Sequence, residues 1–245
     1  MIGALRTFRA TLADFVFPRL CPGCGERVFE EGMLICPTCR DSLVALQLPL
    51  CPTCGAPDAP FSPEDICDCC PEGEVFFTSA RAVTEFAGVA KQLVERVKYN
   101  IHPEYAEWMG RRMAEVFKIE HQLVRQFHAI IPVPLHRTRA RERGFNQSHL
   151  LAQEIAAATG LELMNGVLLR HVFTKTQTRM GRRARAKNIA GAFKVAQSGC
   201  IRDKTILLVD DVHTTGATLN ECARVLKEAG AECVCCMSFA RAVLR

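Results

Sequence analysis

The sequence opens without the positively flanked apolar core and small-residue cleavage site of a secretory signal. Its first apolar residues, Ile2, Leu5, Phe8, Leu12 and Phe15, recur at near-helical spacing, but Arg6, Arg9 and Asp14 interrupt them. Met1 to Leu20 is therefore read as a short amphipathic helix packed on its own protein, and membrane insertion is excluded. Strong charge is missing too: a net +5 is too mild to identify a nucleic-acid binder, although it suits a phosphate-rich ligand. A hydrophobic content of 49% with 23% charged residues excludes disorder as the general state. Reading the chain as cytoplasmic turns its 14 cysteines away from disulfides and toward metal.

Those cysteines fall into two groups, nine from Cys21 to Cys70 and five from Cys200 to Cys236. The first lies in a Pro-, Gly- and Cys-rich segment with too little apolar sequence to fold unaided. Cys21-Pro-Gly-Cys24 and Cys36-Pro-Thr-Cys39 are two knuckles, 11 residues apart, that can offer four thiolates to one tetrahedral Zn²⁺. Cys51-Pro-Thr-Cys54 and Cys67-Asp-Cys-Cys70 repeat the arrangement across 12 residues, with Cys70 assigned as the last ligand and Cys69 as its competitor. Closed four-thiolate sites leave no position for a reacting water, so this zinc is expected to be structural. Thiol–disulfide exchange is the rival use of such knuckles. Cys200, Cys222, Cys233, Cys235 and Cys236 lack knuckle spacing and read as core thiols.

Beyond residue 75 strands and helices alternate. Strands are expected over Val75–Phe86, Ala129–Leu135, Ile206–Asp210 and Glu232–Phe239, and helices over Gly88–Tyr99, Pro103–Phe117, Asn146–Thr159 and Gly216–Ala229. The fold class is α/β, a mainly parallel sheet flanked by helices, with the small cysteine module at residues 1–74 and the larger domain at 75–245.

The segment Ile206 to Thr218, ILLVDDVHTTGAT, places two carboxylates at the carboxyl end of a buried strand, where open α/β sheets bind ligands. Thr214, Thr215, Gly216, Ala217 and Thr218 then lead into a helix N-terminus, where backbone N–H groups and hydroxyls favour a phosphate. His213 is expected to face solvent. Eleven basic residues between Leu135 and Asn188 meet only Glu142, Glu154 and Glu162, a local excess suited to an anionic, phosphate-rich ligand. Arg137 and Arg141 follow soonest after the strand, while Arg143 and Asn146 are placed to fix the loop and the next helix. Aromatic side chains are sparse in this stretch, only Phe145 and Phe173, which argues against a stacking strand binder.

The 206–218 segment resembles the binding motif for 5-phosphoribosyl-1-pyrophosphate (PRPP) of type I phosphoribosyltransferases. The stretches PVPLHRTRARERGFNQSHLLA and KTQTRMGRRARAKNIAGAF, with the double cysteine module, resemble the ComF family, linked with DNA uptake in natural competence. The resemblance implies a type I phosphoribosyltransferase-like fold, and Asp210 and Asp211 on the ribose hydroxyls directly or through Mg²⁺. It also implies His213 to Thr218 around the 5-phosphate, arginines on the pyrophosphate, and a mobile loop in the second basic stretch that closes over substrate. Its expected activity is transfer of the phosphoribosyl group with displacement of pyrophosphate. The alternative is a non-catalytic PRPP sensor that binds single-stranded DNA or assembles with a helicase-like uptake motor. No residue pattern identifies the acceptor.

Overall fold

The computed structural model describes residues 19–30, 33–46, 48–57, 67–99, 102–120, 126–173 and 182–243. The amphipathic helix expected at Met1–Leu20 lies, but for its last two residues, outside them, as do Lys175 and Arg179. After a short helix α1 (Pro37–Asp41), the order is β1 (Ser79–Glu85), α2 (Gly88–Tyr99), α3 (Pro103–Glu120), β2 (Ala129–Pro132), α4 (Arg137–Arg143) and α5 (Gln147–Thr159). Then come β3 (Glu162–Leu163), β4 (Leu168–Arg170), α6 (Arg182–Ile189), β5 (Phe193–Val195), β6 (Thr205–His213), α7 (Ala217–Glu228) and β7 (Cys233–Arg241). A five-stranded parallel sheet runs β1-β7-β6-β2-β3, and β4 pairs with β5 in a separate antiparallel ribbon.

The unbroken apolar run of β6 is explained by burial on both sheet faces. Leu207 and Val209 join α2, α3 and α5 in one core, with Leu93, Met109, Leu151 and Phe239. Ile206 and Leu208 join α7 and the β4–β5 ribbon in the other, with Leu219, Leu226, Leu168 and Phe193. Helix ends follow local chemistry. Asn146 caps α5 by accepting from the Ser148 N–H at 3.1 Å and ties that start to β2 by donating to the Val133 carbonyl at 3.0 Å.

The strand expected at Val75 begins only at Ser79. Asn220 of α7 diverts the preceding residues, accepting from the Phe76 N–H at 2.8 Å and donating to the Glu74 carbonyl at 2.9 Å. Ala129–Leu135 is strand only to Pro132, since Pro132 and Pro134 have no N–H to continue a ladder. The first basic stretch, expected as a loop, is helix α4: His136 accepts from the Thr138 N–H, and Gly144, at φ 76°, ends it. Part of the second basic stretch is helix α6 rather than loop; residues 174–181 lie outside the described residues.

The cysteine module lies along β1, an edge strand that would otherwise expose unpaired backbone groups. The Ala80 N–H donates to the Thr53 carbonyl at 2.7 Å, and the Glu85 N–H to the Val44 carbonyl at 2.9 Å, joined there by the Thr84 hydroxyl at 2.7 Å. Among the described residues no helix is long and apolar enough to cross a membrane.

Gly55 makes this contact possible. Its φ is +69°, and a Cβ there would stand 2.5 Å from the Ala80 carbonyl oxygen; Gly25, at φ +77° directly after the first knuckle, faces open space. Gly55→Ala is therefore expected to destabilise the protein by about 2–4 kcal/mol and Gly25→Ala by only about 1 kcal/mol, as read from denaturation midpoints at unchanged slope.

Candidate functional site

Asp210 and Asp211 sit near the carboxyl end of β6, 9% and 4% exposed. Asp210 Oδ1 accepts from the Ser148 hydroxyl and from the Asp211 N–H, both at 2.9 Å. Burial, reinforced by the Asp211 charge, pushes the Asp210 carboxyl up to about 7. Lys98 Nζ, from the last turn of α2, lies 2.9 Å from Asp211 Oδ2. That distance makes an ion pair, but its alignment makes no hydrogen bond, so this buried oxygen has hydrogen-bonding capacity unspent. Sequence reasoning missed both Lys98 and Ser148. The lysine carries no local signal, but a hydroxyl two residues past the Asn146 cap, on the helix facing the acids, could have been found from the α5 pattern.

Past the acids the chain turns at Gly216, φ +72°, and enters α7 with an N-cap residue that has no side chain to cap it. The positive end of the helix thus faces the loop that carries Thr214 and Thr215, while Ala217 and Thr218, expected in that loop, form the start of α7 itself. Thr215 is buried, with its hydroxyl 3.5 Å from the Ala217 N–H. Gly216 cannot be replaced freely: besides its φ, a Cβ there would meet Pro71 Cγ at 3.3 Å.

His213 does not face solvent. It is the last residue of β6, 4% exposed, with Nδ1 2.6 Å from the Ser238 hydroxyl and Nε2 2.6 Å from Arg241. Burial, and then the arginine charge, lower its pKa to about 3, so it is neutral. The expectation failed because the strand was ended three residues early: β6 continues past Asp210 to His213.

Arg137 and Arg141 are exposed on α4 and have no ion pair among the described residues. Parallel register sets Pro132 beside Val209, so α4 leaves the sheet at the edge that carries the acids. The other two arginines of α4 stack: Arg139 over Phe173 at 5.9 Å and Arg143 over Tyr99 at 5.8 Å. Arg143 also donates to Gln147 Oε1 at 2.9 Å, fixing the start of α5.

Cys21, Cys24, Cys36 and Cys39 form one thiol group, and Cys51, Cys54, Cys67 and Cys70 another, each with all four Sγ atoms within 4.8 Å of one another. Cys70 completes the second; Cys69 stands outside it. Sulfur separations of 3.7 Å (Cys24–Cys36), 3.8 Å (Cys51–Cys70), 3.5 Å (Cys54–Cys67) and 3.9 Å (Cys67–Cys70) are far beyond a disulfide. They match the edge of about 3.8 Å of a tetrahedron with Zn–S bonds of about 2.3 Å. Burial pushes Cys54 and Cys39 well above the ordinary thiol range, so four thiolates coexist here only around a cation. The donor set fits Zn²⁺.

Residues 12–71 match the family "Double zinc ribbon domain", and residues 146–242 match "Phosphoribosyl transferase domain". Together with the thiol groups, the first match makes both metal sites structural zinc. The chain is 32% identical to Competence protein F of Haemophilus influenzae over 61% of this chain and 67% of that one. It is 30% identical to DNA utilization protein YhgH of Escherichia coli strain K12, over 62% and 67%. A purine phosphoribosyltransferase from Pyrococcus horikoshii is similar over 55% of this chain and 74% of that one, at 17% identity and a TM-score of 0.36.

Metal analysis of the purified chain is expected to give about two zinc ions per molecule; folded protein free of zinc would contradict the assignment. The acid pair gives a second expectation. Folding raises the Asp210 pKa above its unfolded value of about 3.9, so the folded state holds the proton more tightly. Stability therefore falls as pH rises from about 4 to about 7. Asp210→Asn keeps an acceptor for both donors and removes this loss. Its melting temperature should rise by about 2–4 °C at pH 8 and by less at pH 5, in parallel thermal melts.

Proposed function

The chain belongs to the ComF family, and on that premise we propose that the end of β6 binds PRPP with Mg²⁺ and that the protein transfers its phosphoribosyl group to an acceptor with displacement of pyrophosphate. One observation carries the reading: two buried carboxylates, one with an oxygen that has an ion pair to Lys98 but no hydrogen bond, lie directly before the N-terminus of α7, where the N-cap Gly216 offers no side chain. Ribose 2′- and 3′-hydroxyls are donors that the remaining lone pairs of Asp210 and Asp211 can accept, and a 5-phosphate suits the N–H groups of Thr214 to Thr218.

The Asp211 oxygen, which accepts no hydrogen bond, and the charge of the pair also suit a hard divalent cation. When bound, Mg²⁺ would neutralise the pyrophosphate and polarise its oxygens. The protein's own part is positional. Ser148 and the Asp211 N–H fix the rotamer of Asp210, and Lys98 pairs with Asp211 until the ligand displaces it, its positive charge then staying beside the sugar. Arg137 and Arg141, exposed and without an ion pair among the described residues, are the cations for the departing pyrophosphate. In the transfer, an acceptor lone pair forms the new bond at C1 as the C1–O bond breaks. The bonding electrons leave with pyrophosphate, and the acceptor's proton passes to water. PRPP as donor points to an acceptor in nucleoside or nucleotide metabolism.

A second reading keeps the PRPP site as a sensor without turnover and gives α4 to single-stranded DNA. It is favoured by the arginines of α4 lying between exposed Phe173 and Tyr99, an interleaving the linear sequence concealed. Work on incoming DNA, beside a helicase-like uptake motor, would agree with the competence and DNA-utilization names of the relatives.

Calorimetric titration with PRPP is expected to give binding that requires Mg²⁺, disappears with chelator and drops at least tenfold in Asp211→Asn. Unchanged affinity in that variant would refute the site. Pyrophosphate release with one of the nucleobases would identify the transferase. Metal-dependent binding without release, combined with DNA affinity that falls steeply with salt, would identify the sensor.

A further inference from the structure

One buried cation lies outside the ligand chemistry. Arg241, the last residue of β7, is 3% exposed, and its guanidinium reaches into the second zinc ribbon. Nη1 donates to the Cys54 backbone carbonyl, and Nη2 lies 3.4 Å from Cys54 Sγ. Nη1 also stands 2.6 Å from Nε2 of His213, its direct neighbour in the β6–β7 register. A guanidinium only donates, so Nε2 is the acceptor and the imidazole proton sits on Nδ1. Nδ1–H then donates to the Ser238 hydroxyl at 2.6 Å, and that hydroxyl donates to the Ala240 carbonyl at 3.2 Å. The arginine thus sets the direction of a closed donor–acceptor chain that begins at a zinc ligand and passes through the residue immediately before the phosphate loop.

The same ribbon meets that loop twice more. Pro71, directly after the ligand Cys70, packs under Gly216. Cys69 lines one small pocket with Arg241 and Thr214. Four thiolates around one Zn²⁺ leave an excess of negative charge, and a guanidinium hydrogen-bonded to one of them offsets part of it. The first ribbon is seated elsewhere: Gly23 abuts Val89 at the start of α2.

We propose that Arg241 is a positioning residue that couples the second zinc centre to the phosphate loop, so that zinc at Cys51, Cys54, Cys67 and Cys70 maintains the loop's ligand-ready geometry and zinc at the first centre does not. The inference rests on reading residues 214–218 as the phosphate loop, but its test does not require turnover.

The zinc-loaded full chain, Arg241→Met, Arg241→Lys and Cys24→Ser are compared by zinc release to a chromogenic chelator and by hydrogen exchange of the amides of residues 213–218. In Arg241→Met, one of the two zinc ions is expected to leave about tenfold faster or more while the other keeps its wild-type rate, and the loop amides exchange faster. Arg241→Lys, which keeps the charge without the fork, should fall between, and it carries the test if the methionine variant does not fold. Cys24→Ser should lose the first zinc and leave the loop amides protected. Wild-type zinc release and loop exchange in both arginine variants would overturn the proposal. Equal loosening by Cys24→Ser would overturn it too, because that is what general destabilisation produces. A wild-type loop that shows zinc-dependent exchange yet binds no PRPP would sustain the coupling and refute the function proposed above.

Discussion

Two carboxylates kept out of water at the end of a strand buried on both faces are the constraint around which the rest of the molecule is arranged. A chain placing Asp210 and Asp211 there must supply a cation, hydrogen-bond donors and a closed surround, or the pair will not hold charge. Lys98 comes from α2, Ser148 from α5 and the backbone donor from Asp211 itself, three parts of the chain brought together only by the parallel order β1-β7-β6-β2-β3. Even so supplied, Asp210 is held near 7, against the ordinary carboxylate range. Holding a carboxyl this far above its ordinary range costs stability at neutral pH, a cost consistent with the binding role proposed for the pair.

The zinc ribbons belong to the same arrangement. A parallel sheet ending in β1 would leave an open edge beside the ligand end, and the ribbons cover it through Thr53 and Val44. With few apolar residues of their own, they are folded by metal and then used as a rigid border. The second reaches His213 through Arg241 and Gly216 through Pro71, which sets a small metal module against the loop proposed to bind phosphate.

Much of this was legible in the sequence. The apolar runs of β6 and β7 and the caps of α5 are local, and local chemistry predicts them. Knuckle spacing likewise identifies the thiol groups, because a tetrahedral ion fixes how its ligands are spaced. What escaped was long-range. Nothing near Lys98 announces an acid 113 positions further on. His213 was expected in solvent because its shelter comes from Ser238 and Arg241 on the neighbouring strand. Tyr99 and Phe173 flank α4 from two separate segments, so no scan of the basic stretch alone could find both.

The most direct test of the central claim is a crystal structure of the protein soaked with ribose 5-phosphate and Mg²⁺. The account predicts the phosphate on the N–H groups of residues 214–218, the sugar hydroxyls within hydrogen-bond distance of Asp210 and Asp211, and the Lys98 ammonium displaced from Asp211 Oδ2. A phosphate held instead by the α4 arginines, with Lys98 still paired to Asp211, would contradict it.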